Sequence, residues 1–216
     1  MNKRNLIIAA LAVVSATTVF AQSKEYKVTD DGKNYASFTS EATLETINGR
    51  TTKVSGSIVV DPAHPEAATT DVSIDLTSID TGIDMRNNHF RSAGFIDTDK
   101  FPAATFKSAS ISSPVKMLEA NKPVEFKITG DVTIHGVTKR MVLPVRVVFI
   151  PENDMTKSSR GPGDWIHASA QFQVKLQDFN IPVPQKLVLK LADTVNVNLD
   201  VFGVARPPAA AAPAAK

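Results

Sequence analysis

The stretch FKITGDVTIHGVTKRMVLPV, residues 126–145, decides the fold. Apolar and polar residues alternate along its first half. A period of two is typical of an antiparallel strand with one buried face. Gly136-Val137 then predicts a type II′ hairpin turn, which would pair Ile134 with Lys139 and bring the apolar faces of two strands together.

The same alternation recurs on both sides of this hairpin. It predicts about eight strands with short turns, and no long amphipathic helix pattern interrupts them. The pattern indicates an all-β chain that forms either an antiparallel barrel or a sandwich. The further predicted strands cover residues 38–47, 50–60, 72–79, 104–111, 166–176, 187–191 and 195–204. Polar segments with Pro or Gly, at 61–68, 112–123 and 151–163, are predicted to be loops.

The length of the turn near Asn48-Gly49 can be inferred from the face of the sheet on which each loop length would place the apolar residues. A two-residue loop would put the apolar residues of its two strands on opposite faces. A three-residue loop over 47–49 puts them all on one face, and register follows the buried face. We therefore predict that Gly49 has a positive φ. The residues predicted to share that face are Phe38, Ala42, Val54 and Ile58.

A long connection, residues 80–103, separates two of the predicted strands. Connections of this length are uncommon in compact domains and usually have a function. Within it, MRNNHFRS predicts a short helical segment capped by Asp84, which would accept from the N–H of Asn87. The segment is predicted to be a lid with apolar residues facing one end of the β-structure.

Composition and charge exclude several classes of protein. Hydrophobic residues make up 43% and charged residues 21%, as in a globular chain. There is no cysteine, so burial must stabilise the fold without disulfides. The formal net charge of +2 comes from Lys3 and Arg4, and without them the charges balance. No basic surface for a nucleic acid is expected.

Residues 1–21 resemble a secretory signal peptide, with a basic start, an apolar run at 6–14 and a cleavage site before Gln22. The run is too short to span a bilayer, so no integral membrane anchor is predicted. A single domain is expected over 22–206. The Ala/Pro-rich residues 207–216 are predicted to be a disordered tail.

Motifs for catalysis or metal binding are lacking. The four histidines have no ligand spacing and no cysteine to join them, so neither a metal site nor a cofactor is predicted. There is no GxSxG elbow and no Gly-rich phosphate loop. The triplet Asp80-Thr81-Gly82 has no second copy, which an aspartic protease would need. The chain is therefore predicted not to be an enzyme.

Two motifs together carry a resemblance to a known family. The first is DTG at 80–82, followed by Arg86, His89, Arg91 and FPAATF at 101–106; the second is GDVTIHGVTKRMVLPV at 130–145. Over residues 26–204 the chain resembles the YceI-like family of lipid- or polyisoprenoid-binding proteins. The resemblance implies a lipocalin-like barrel of eight strands, periplasmic or secreted, that holds a long isoprenoid or another amphiphilic lipid in an apolar tunnel. It thereby selects the barrel over the sandwich.

We expect the ligand in the barrel interior and its polar head at the lid. A filled core with an adaptor role, or an enzyme acting on a lipid, are the alternatives, and both monomer and homodimer stay open. The residues predicted to line the apolar interior are Phe38, Ala42, Ile58, Ile74, Leu76, Phe106, Phe126, Ile128, Val132, Ala168, Phe172, Val174, Val197 and Leu199. Those predicted at the mouth are Arg86, His89, Phe90, Arg91 and Phe95.

Overall fold

The computed structural model describes residues 23–29 and 32–206. This part of the chain holds ten strands and two helices. The predicted signal peptide and the Ala/Pro-rich tail lie outside the described residues. None of the described helices is both long and apolar enough to cross a membrane. The strands are β1 Lys24–Val28, β2 Tyr35–Glu41, β3 Thr46–Thr51, β4 Val54–Val60, β5 Thr69–Asp75, β6 Ala103–Ser112, β7 Pro123–Ile134, β8 Val137–Ile150, β9 Asp164–Lys175 and β10 Thr194–Ala205; the helices are α1 Asp84–Arg91 and α2 Asp154–Arg160.

The strands form one antiparallel sheet that closes on itself. Its order is β1-β4-β5-β6-β7-β8-β9-β10-β2-β3, and β1 also pairs with β10. β10 pairs with β1 near Gly203 and with β2 over residues 196–200, so β1 and β2 lie end to end along the same edge of β10. β4 and β3 lie end to end in the same way, with β4 beside β1 and β3 beside β2. The result is a closed barrel with eight wall positions, which confirms the predicted fold.

Asn34 supplies hydrogen bonds to the backbone where the barrel wall is interrupted between β1 and β2. Its side-chain amide donates to the carbonyl of Thr29 (2.7 Å), and its oxygen accepts from the N–H of Phe202 on β10 (2.7 Å). The side chain is 1% exposed. Backbone groups in a buried wall need partners, and this one side chain supplies two of them.

The barrel has two different ends. At one end, here called the lid end, α1 and the residues after it cover the opening. At the other, here called the loop end, the connections 61–68 and 113–122 cover it. Alternate residues of every strand face the space between the two ends and form one apolar core. This packing follows from the period of two, because successive side chains of a strand point to opposite faces.

The β7–β8 hairpin has the predicted loop length but a different turn. Its loop is His135-Gly136, with φ of 51° and 72°, and Ile134 pairs with Val137. The predicted pair with Lys139 is therefore wrong by two residues. Positive φ at both loop residues makes a type I′ turn, whose twist matches that of the strands. Because the shift is even, the inner faces are those expected from the sequence.

The prediction for Gly49 is wrong. The turn between β2 and β3 lies at residues 42–45, and Gly49 sits inside β3 opposite Phe38, without a positive φ. A Cβ at Gly49 would overlap the Phe38 ring. Glycine is required there by the space that the ring takes, and not by a turn. Phe38 still packs on the same core as Val54 and Ile58, whereas Ala42 lies in the turn.

Three smaller predictions also need correction. Residues 187–191 are not a strand: Leu187 accepts from the N–H groups of Lys190 and Leu191, which closes consecutive turns after Pro184. The predicted loop 151–163 contains α2, whose first turn is capped by Asn153. Asp84 does not cap α1; the N–H of Asn87 donates to the Ile83 carbonyl instead.

Candidate functional site

The barrel interior is the candidate site, and nearly all of the residues predicted to line it face the core. Ala42 is the exception, because it lies in the β2–β3 turn. Contact with a ligand stays a prediction for all of them. Those that belong to the core or pack against it are Phe38, Ile58, Ile74, Leu76, Phe106, Phe126, Ile128, Val132, Ala168, Phe172, Val174, Val197 and Leu199.

A small unfilled volume lies at the loop end of the barrel interior. A cavity of about 50 Å³ opens there among apolar side chains. Pockets that hold a whole drug-sized ligand measure about 300–1,000 Å³, so this cavity accommodates only a small part of a long chain as it stands. Its lining residues are Ile58, Val60, Pro65, Ala68, Thr70, Ile111, Leu118, Phe126, Ile128, Val147 and Ile166.

Several of these lining residues come from segments that the sequence marked only as polar loops. Pro65 and Leu118 are both buried, although each stands in a polar stretch. The N–H of Leu118 donates to the carbonyl of Pro62 (2.7 Å), which ties the two loops together over the cavity. Beside them, at the rim, Lys24 and Asp164 form an ion pair (2.6 Å). The apolar residues inside these two polar stretches were the signal in the sequence.

The lid end is filled by aromatic rings. Phe90 of α1 stacks on Phe38 with ring centres 5.7 Å apart and an angle of 9° between the planes. Phe95 meets Phe90 edge-on at 6.0 Å. Phe90 and Phe95, predicted at the mouth, therefore belong to or pack against the core. This arrangement closes the lid end with apolar contacts.

The two predicted cations of the lid are bonded to the protein. Arg86 donates to the Glu45 carboxylate (2.7 Å) and to the hydroxyl and carbonyl of Thr81 (3.0 and 2.8 Å). Arg91 donates to two backbone carbonyls that precede the helix. His89 is exposed. Both guanidinium groups thus fasten α1 to the rim, and their contact with a ligand head stays a prediction.

Asn87, which sequence reasoning did not single out, organises the turn before α1. Its buried side chain accepts from the N–H and hydroxyl of Thr81 (2.8 and 2.7 Å) and donates to Asp80 (2.8 Å). The N–H of Gly82 and this amide lower the pKa of Asp80, because both bonds favour the carboxylate. The Asp80-Thr81-Gly82 triplet is therefore a structural turn.

The outer wall carries a group of paired side chains around Phe202. The Phe202 ring lies between the His167 ring, stacked at 4.2 Å, and the Arg160 guanidinium at 4.0 Å. His167 also bonds Asp200 (2.9 Å). Within residues 23–29 and 32–206, no group of three or more His, Cys, Asp or Glu side chains is placed to hold a metal ion.

Comparison with known proteins agrees with this architecture. The family model described as YceI-like domain matches residues 26–202. The protein YceI of Salmonella newport is 31% identical over 185 residues, which span 83% of this chain and 87% of that protein.

Solved structures share the fold. Burkholderia cenocepacia BcnA superposes with a TM-score of 0.64 at 21% identity, over 81% of this chain and 98% of that one. A polyisoprenoid-binding domain from Saccharophagus degradans gives a TM-score of 0.63 at 19% identity, over 85% and 99%. The Campylobacter jejuni YceI protein gives 0.60 at 26% identity, over 74% and 85%. From its matched length and its relatives, the chain belongs to the YceI-like domain family.

Proposed function

We propose that this chain is an exported lipid-binding protein that carries a polyisoprenoid, or a similar long-chain amphiphile, inside its barrel. The observation that carries the proposal is the closed wall around one continuous apolar interior with unfilled volume at the loop end. Membership of the family supports it, as does the likeness to a domain named for polyisoprenoid binding. The proposal assigns binding and no catalysis.

A long chain needs more room than the cavity offers, so binding must enlarge it. The loop end is the weaker closure, because the loops over the cavity are joined by the one backbone bond from Leu118 to Pro62 that spans them in the described residues. Burial of the chain would supply roughly 25 cal/mol per Å² of apolar area. That gain favours displacement of Pro65 and Leu118 outward, which would extend the cavity along the barrel.

Native mass spectrometry of the gently purified protein tests this proposal. We expect a bound mass that organic solvent removes, and the same spectrum reports whether the chain is a monomer or a homodimer. Ala168→Phe places a bulky ring in mid-barrel, between Val147 and Val201 of the neighbouring strands. We expect it to reduce the bound lipid, while Tyr35→Phe on the outer wall leaves the lipid in place.

The alternative that the structure favours next is an adaptor barrel with a filled core. The small size of the cavity is the observation behind it. In that case the protein would carry no lipid and Ala168→Phe would cost about 1–3 kcal/mol of unfolding free energy through overpacking. Gly130 does not offer a second test position, because the Phe106 ring and the Lys107 carbonyl already occupy the space beside it.

Export and processing form a separate part of the proposal. The segment 1–21 has the sequence features of a signal peptide, and the product would be periplasmic or secreted. N-terminal sequencing of the protein recovered from the cell envelope or the medium should begin at Gln22. Recovery of a chain that retains residues 6–14 would contradict this part of the proposal alone.

A further inference from the structure

Tyr26 carries a buried hydroxyl group that no described residue bonds. The residue faces inward from β1 and is 0% exposed. Its hydroxyl has no hydrogen-bond partner among the residues that the structure describes. Buried polar groups are nearly always bonded, and leaving one unpaired costs stability. A donor kept in this state calls for an explanation.

The position of Tyr26 connects it with the cavity at the loop end. On one side its cross-strand partner is Ile58. On the other side it covers Gly203, where an added Cβ would lie 2.9 Å from that of Tyr26. Gly203 pairs in turn with Ile166. Ile58 and Ile166 both line the cavity, whereas Tyr26 itself does not. Tyr26 therefore stands in the wall beside the cavity, and its hydroxyl reaches a ligand there only when binding widens the cavity.

The charge state of the phenol makes it a constant donor. Burial raises the pKa of Tyr26 well above its ordinary value, and the charges of Asp164 and Asp61 raise it further. Asp164 accepts from Lys24 and from the N–H of Glu152, and the Tyr26 hydroxyl makes no hydrogen bond to it. The hydroxyl therefore stays protonated at every physiological pH.

The other unpaired buried donor, Trp165 Nε1, does not share this setting. Trp165 alternates along β9 with the inward-facing Ile166, so it lies on the outer face, and the Arg160 guanidinium is 5.7 Å from its ring. The cations of the lid end differ from Tyr26 as well, since Arg86 and Arg91 already donate hydrogen bonds to protein acceptors. Tyr26 is left as the inward-facing donor without a partner in the described part of the chain.

We propose that the Tyr26 hydroxyl donates a hydrogen bond to the polar head of the bound amphiphile, and that this head carries an acceptor oxygen and lies at the loop end. The inference rests on the proposed lipid-binding function and adds the orientation and head chemistry of the ligand. About 10–15 Å³ is enough for one water, so a cavity of about 50 Å³ accommodates a head of a few non-hydrogen atoms. To extend toward the lid end, the isoprenoid chain then has to displace core side chains of the barrel.

The test uses two isoprenoid probes and two tyrosine variants of the full chain, stripped of lipid. Geranylgeranylacetone has a ketone that only accepts hydrogen bonds, and squalene is an isoprenoid hydrocarbon without any acceptor. Tyr26→Phe removes the proposed donor. Tyr35→Phe removes the hydroxyl of the second tyrosine, which is 43% exposed on the outer wall, and serves as the matched control.

We expect Tyr26→Phe to weaken the binding of geranylgeranylacetone about tenfold, which corresponds to 1.4 kcal/mol, and to leave the binding of squalene unchanged. Tyr35→Phe should change neither. The melting temperature of lipid-free Tyr26→Phe should equal or exceed that of the wild type, because the variant no longer buries an unpaired group.

Each other outcome has a definite meaning. Equal affinity of wild type and Tyr26→Phe for the ketone overturns the inference and leaves the proposed function standing. An equal loss for both probes shows that the ring packs without bonding, and also overturns it. A melting temperature several degrees lower would reveal a partner for the hydroxyl in the free protein. A wild type that binds neither probe removes the proposed function and the inference together.

Discussion

The two ends of the barrel are closed in different ways. At the lid end the Phe90 ring fills the opening against Phe38, and the arginines around it are bonded to protein acceptors. At the loop end there is a small cavity, and the hydroxyl of Tyr26 has no partner among the described residues. The lid end is closed by stacked rings and bonded arginines, whereas the loop end has a cavity and an unpaired donor. This difference is the reason that we place the proposed head site at the loop end and not at the lid.

The largest expected effect tests whether the lid end is a true core. Phe90→Ala should lower the free energy of unfolding by about 3–5 kcal/mol, because it removes a buried ring and leaves a cavity. Denaturant unfolding followed by circular dichroism measures the loss. Phe202→Ala is the matched control, since that ring is only half-buried and lies on the outer wall, and its loss should be smaller. A loss for Phe90→Ala below that of the control would make α1 a loose cover.

A second test concerns the close approach of Phe38 to the wall at the same end. Gly49→Ala should cost about 1–3 kcal/mol of unfolding free energy, because the new methyl group forces the Phe38 ring out of place. Gly94→Ala is the control: a Cβ there has its nearest neighbour 3.7 Å away, at the Ser92 hydroxyl, and no positive φ opposes it. Thermal unfolding of both variants decides the matter. Equal stability would mean that the ring moves aside without cost.

The smallest expected change compares filled and unfilled volume directly. Val147→Ile adds one methylene group beside the cavity and should raise the free energy of unfolding by up to about 1 kcal/mol. Val132→Ile makes the same change at a buried position in the lid half of β7, where overpacking should lower it by about 1–3 kcal/mol. Denaturant unfolding gives both values. If the two variants changed stability in the same direction, the contrast between the ends would not hold.

The wall of the barrel could be predicted from the sequence because alternation is a local signal. Each strand of the 126–145 region carries its own inner face, and even the wrong turn at Gly136 preserved that face. Closure by pairing of β1 with β10 could not be deduced from alternation, which fits a sandwich equally well. It entered through the family resemblance. Gly49 was misplaced because a glycine needed for space and one needed for positive φ look the same in a sequence.

The site was harder to predict than the fold, because it depends on the space and the unpaired groups that remain when distant segments pack together. Nothing in the sequence singled out Tyr26, because an unpaired hydroxyl is defined by the absence of a partner in three dimensions. Arg86 and Arg91 drew attention as cations in a long loop. Their acceptors are mostly carbonyl groups, which no sequence pattern displays. Pro65 and Leu118 were overlooked in stretches that are polar on average.

The pairing of the first strand with the last has a consequence for how the molecule is made. Until β10 has been synthesised, β9 and β1 each have an open edge, and the ring of strands cannot close. Contacts between such distant parts of a chain form slowly, and unpaired edges invite association with other chains. A chain that ends before residue 194 therefore cannot complete the barrel, and its open strand edges would favour association with other chains.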